Sequence, residues 1–113
     1  MSNKNEELSQ GYAVIVADNF HYMNEDESYL HGLYATYDEA LGMARAITRR
    51  SLAEAGGNNP EEIVERYKQV GDDPYILPFG GAQAPEHRFS AWTYAESIAA
   101  EVSDAKNASE DSP

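Results

Sequence analysis

Residues 18–27 read Asp-Asn-Phe-His-Tyr-Met-Asn-Glu-Asp-Glu, which sets Phe20, Tyr22 and Met23 directly before the acidic run Glu25, Asp26 and Glu27. Connecting segments run over the surface, and rings placed there among carboxylates have the anatomy of a contact patch, an apolar anchor with a charged rim. Phe20, Tyr22, Met23, Glu25, Asp26 and Glu27 are therefore the candidate partner-binding residues. The plainer account is that the three anchors fold back onto a small cluster beneath a solvated turn. A metal site built from Asp18, His21, Glu25, Asp26 and Glu27, with His31 added, has the right donor types but the wrong spacing. The segment lacks both the Asp-rich loop with a closing Glu that holds calcium and a His-Glu-x-x-His pair on a helix. A solvated charge run accounts for the carboxylates, and no cofactor or metal is expected.

Catalysis finds little footing. The chain has no cysteine, which removes thiolate nucleophiles, thiolate metal sites and disulfides together. His21, His31 and His87 are the candidate bases, yet no Gly-x-Ser-x-Gly elbow accompanies them, and Gly80-Gly81 lacks the residues that complete a phosphate-cradling loop. Asp72-Asp73 precedes Pro74 and reads as turn chemistry rather than as an acid–base pair. No enzymatic activity is expected. Arg45, Arg49 and Arg50 form the one basic concentration and offer a site for an anion or a partner's carboxylate. Against that, Arg50 precedes Glu54 by four and Glu62 precedes Arg66 by four, the spacing of local helix pairs.

Net charge narrows the partners. Across 113 residues, 20 acidic side chains face 8 basic ones, a formal charge of -12 that resides mostly in the middle of the chain. Phosphate neutralisation by Lys and Arg dominates nucleic-acid affinity, so direct nucleic-acid binding is disfavoured, as is an anionic membrane surface. No apolar run approaches the ~20 residues that span a bilayer, and the first ten residues lack an apolar core of the secretory type. A cytoplasmic location follows as the expectation. Eight tyrosines, three phenylalanines and one tryptophan supply the interior or an interface.

The elements that must hold these residues can be read from pattern. The length fits one core, with residues 1–10 and 104–113 as polar, flexible tails around a single domain, 11–103. Residues 12–17 are β-branched and apolar and predict a strand buried on at least one face. Residues 29–35 predict a second, with Gly32 marking a bulge or a close backbone approach. Thr36-x-x-Glu39 predicts a capping box, followed by a helix that Gly56-Gly57 ends; Ala40, Met43, Ala44, Ile47 and Ser51 fall at helical spacing, with Leu41, Thr48 and Leu52 beside them. Asn59-Pro60 starts a second helix burying Ile63, Val64, Tyr67 and Val70 and stopped by Gly71. Residues 75–77, fenced by Pro74 and Pro78, predict a short edge strand. A loop over 79–88 leads to an N-cap at Ser90, a Phe89–Tyr94 staple and a last helix reaching about Val102. The order β-β-α-α-β-α predicts an α+β fold: a small antiparallel sheet with helices packed on one face.

The run Gly11-Tyr12-Ala13-Val14-Ile15-Val16-Ala17-Asp18-Asn19-Phe20-His21-Tyr22-Met23, followed by Gly32-Leu33-Tyr34-Ala35-Thr36-Tyr37-Asp38-Glu39-Ala40, resembles small bacterial cytoplasmic proteins of no assigned function. The resemblance implies a bacterial source and carries no catalytic residue across. Three functions suit the composition. The first is a non-enzymatic protein-binding or regulatory module, with self-association as one form of it. The second is an inhibitor whose carboxylates imitate nucleic acid before a basic nucleic-acid-handling protein. The third is a small-molecule or metal-binding domain.

Overall fold

A computed structural model describes residues 9–18 and 28–110. The elements run β1 (Gly11–Asp18), β2 (Tyr29–Tyr34), α1 (Tyr37–Glu54), α2 (Pro60–Val70), β3 (Asp72–Phe79) and α3 (Ala91–Glu110). The strands form one antiparallel sheet in the order β2-β1-β3, with the helices on one face, the predicted α+β architecture.

Local signals set the helix starts. Thr36 accepts a hydrogen bond from the Glu39 amide (3.2 Å) and its hydroxyl donates to the Glu39 carboxylate (3.0 Å), so α1 begins on a closed cap. Asn59 accepts from the Glu62 amide (2.9 Å) while Glu62 reaches back to the Asn58 amide (3.1 Å), which fixes α2 with Pro60 in its first turn. Between the two helices, Gly57 takes a φ of 120°, and a Cβ there would lie 2.9 Å from the Ile63 amide nitrogen. Ser90 accepts from the Thr93 amide (3.3 Å), and the Phe89 and Tyr94 rings meet at 5.9 Å across that start.

Packing then joins the helices to one another and to the sheet. Leu52, Ile63, Tyr67, Ala91, Ala95, Ile98 and Val102 form the buried cluster between the helices. Val14 and Val16 of β1 are buried against the same layer. Tyr67 is fully buried, and its hydroxyl donates to the Asp72 carbonyl at 2.6 Å, which ties the end of α2 to the first residue of β3. The Asp72 amide donates to Ser51 Oγ at 2.8 Å, tying the same residue to α1. Tyr12 packs edge-on against Tyr37 at 5.6 Å and donates to the Gln83 carbonyl at 2.7 Å, which pins the 80–90 loop to the sheet.

Several expectations shift. Asp72, Asp73 and Pro74 are strand, not turn, and β3 runs through both prolines. The prolines stand four apart, so their missing N–H groups fall on one side of the strand, the outer edge, where no ladder bond is lost. Val70 is 55% exposed, because no element covers the last residue of α2. The final helix continues past Val102 to Glu110, beyond the last of its buried apolar residues. Gly32 does mark an irregularity: the register steps from Val14–Gly32 to Ile15–Leu30, leaving His31 without a partner on β1, and a Cβ on Gly32 would lie 2.9 Å from the Tyr34 hydroxyl.

Because the Tyr67 hydroxyl bridges two elements, Tyr67→Phe removes that bond and keeps the ring. A loss of about 1 kcal/mol in unfolding free energy is expected from urea denaturation with an unchanged slope. A midpoint equal to that of the parent would show that the bond contributes nothing.

Candidate functional site

Register determines which side chains leave the helical layer. Directly opposed residues of an antiparallel pair share a face, and faces alternate along each strand. Tyr12, Val14 and Val16, with Ile76 and Pro74 opposite Val14 and Val16, face the helices. The other face is built in rows: Leu33–Ala13–Leu77, then Leu30–Ile15–Tyr75, with Gly11–Phe79 and Ala17–Asp73 beyond them at either end. Leu30 is 55% and Leu77 45% exposed, Ile15 and Leu33 are half-buried, and the Phe79 ring lies over Gly11. Asp73 is the one charged side chain among the described residues of this face.

The composition of β1 gives this face its meaning. Ala13-Val14-Ile15-Val16-Ala17 is apolar on both sides, the pattern of a strand covered twice, whereas a strand with one wet face alternates with polar residues. The helices supply only one cover. The loop residues do not point to this patch; its signal in the sequence is the unbroken apolar run of residues 13–17.

The candidate loop residues Phe20, Tyr22, Met23, Glu25, Asp26 and Glu27, with His21, lie outside the described residues. His31 opens onto a depression of about 280 Å³ beside Tyr29, Arg50 and Glu54, while His87 lines a different groove between α1 and α3, so these two histidines stand apart. Among the described residues no three His, Asp or Glu side chains are grouped to hold a metal ion, and no helix is long and apolar enough to cross a membrane. The arginines separate as helix geometry requires. Arg50 pairs with Glu54 at 2.9 Å, and Arg66 with Glu62 at 3.7 Å, as their spacing predicts. Arg49 instead reaches across to Glu101 of α3 at 3.2 Å, and that hydrogen bond, with a further one to Tyr94, raises its pKa.

Titration adds one feature at the rim. Burial raises the Asp73 carboxyl above the ordinary value of 3.8, with no compensating cation. Burial, and then the Glu39 charge, raise the Tyr34 phenol. No family model, curated protein or solved structure matches the chain.

For an acid whose folded-state pKa is raised, the ionised form burdens the folded state, and that burden grows as pH rises through the folded pKa. Asp73→Asn should therefore unfold at a higher temperature than the parent at neutral pH, and the gap should close as pH falls toward about 4. A gap that did not vary with pH would trace the effect to something other than ionisation.

Proposed function

We propose that the chain is a non-enzymatic protein-interaction module that uses the open face of its sheet, and that the partner this face fits is a second copy of itself. The carrying observation is the central strand, apolar on both sides with a helical cover on only one. Exposed Leu30 and Leu77 with half-buried Ile15, Leu33, Tyr75 and Phe79 make a contiguous apolar patch, which costs free energy in water and is the kind of surface that serves interaction.

Both edges of the sheet are poor templates for strand addition, which favours contact through the face. β3 carries Pro74 and Pro78, and β2 is short and interrupted at His31. A partner for a flat, almost uncharged surface must present another such surface. The same face on a second copy is one, and a two-fold axis makes it self-complementary. Two such sheets stack at about 10 Å with the helices outermost.

Like net charge opposes this association, so screening should strengthen it. Sedimentation velocity is expected to give twice the 12.5 kDa monomer mass, with the dimer favoured as NaCl rises from about 0.05 M to about 0.5 M. Leu77→Glu and Leu30→Glu should each return the monomer mass with an unchanged far-ultraviolet circular dichroism spectrum. A parent protein that stays monomeric at every salt concentration would overturn self-association. Imitation of nucleic acid before a basic protein makes the opposite forecast, an association that salt weakens and that DNA displaces.

A further inference from the structure

We infer that the groove between α1 and the first turns of α3 is a binding site for a small aryl anion, a phosphate or carboxylate held by Arg45 and Arg88. The groove is an open one of about 460 Å³, and among the described residues no Asp or Glu lines it, in a chain with 20 acidic side chains and 8 basic ones.

The disposition of cations carries the argument. Within residues 9–17 and 28–105, whose side chains the structure describes, there are six Lys and Arg. Arg49, Arg50, Arg66 and Lys68 are each bound to a carboxylate, at 3.2, 2.9, 3.7 and 3.7 Å. The two left without a carboxylate are Arg45 and Arg88, brought from distant parts of the sequence to line the same groove, and His87 joins them there. Chance placement on so acidic a surface would pair these guanidinium groups as it pairs the others. Instead both line a space that no carboxylate among the described residues borders, and a planar guanidinium suits bidentate contact with an anion.

Aromatic groups supply the rest of the recognition. Phe89 and Tyr94 line the groove and pack together, and the Arg45 guanidinium carbon stands 5.6 Å from the Tyr94 ring centroid. That cation–π contact orients Arg45 over the ring rather than toward bulk solvent. A ligand with a ring behind its anionic group would cover the aromatic wall while its charge met the arginines. The site lies in the helical layer, away from the open sheet face, and does not depend on the self-association reading.

Phenyl phosphate, benzoate, inorganic phosphate and phenol, each titrated into the ¹⁵N-labelled protein at low salt, test this. Saturable amide shifts centred on residues 41–45 and 87–97 are expected with phenyl phosphate or benzoate, and the tighter of the two identifies the anion. Arg45→Gln and Arg88→Gln should each weaken binding about ten-fold or more, and the double variant should abolish it. Both arginines are exposed and unpaired, so the variants should keep the parent's spectrum outside the groove. Shifts scattered over the surface, or binding retained in the double variant, would overturn the site. Inorganic phosphate binding as tightly as phenyl phosphate would overturn the role given to the aromatic wall.

Discussion

The structure turns on a mismatch between the central strand and its covers. Val14 and Val16 are sealed beneath the helices, while Ile15, between them in sequence, points to the side the helices never reach. Moving the register by one residue would exchange these sets, sending Val14 and Val16 outward without covering both faces. Among the described residues, then, no element covers the apolar side that Ile15 faces. The rest of the sheet fits that condition: prolines along one edge, an irregular short strand at the other, and charge largely kept off the face.

The helical layer is held by different means. Tyr67 fills its centre and fastens two elements through one hydroxyl, and Ser51 fastens the same strand residue from α1. Around this core, Arg49–Glu101 joins α1 to α3 and Lys68–Glu96 joins α2 to α3. Such exposed pairs contribute little stability each, about 0–1 kcal/mol. Their larger consequence is that they occupy most of the described cations. What remains is a local inversion, with two arginines opening onto one groove of a molecule whose field is otherwise negative.

The helices were legible in the sequence because their signals are local. Thr36, Asn59 and Ser90 cap where their side chains can reach an amide three residues on, and Gly57 stands where φ must be positive. The strands were less legible because their limits depend on a neighbour. Asp72-Asp73-Pro74 has turn composition, yet pairing with β1 extends it, and the edge position absorbs the prolines. The same division separates the two candidate sites. Arg45 stands beside Arg49 and Arg50 in the sequence, but its companion in the groove is Arg88, and only tertiary packing joins them. The open face was written in residues 13–17, although which side the helices would leave bare is decided by topology.

These two surfaces occupy opposite layers, and that separation has a thermodynamic consequence. Two copies joined through their sheets would carry their grooves on the outer sides of the assembly, each lined by residues of a single protomer. Coupling between sites requires that a ligand discriminate between the two states of the protein. An anion meeting Arg45 and Arg88 would find the same side chains in the monomer and in the dimer. On the two proposals, contact with a second copy and capture of an anion would be independent of each other, the first resting on the strands and the second on the ion pairing of the helices.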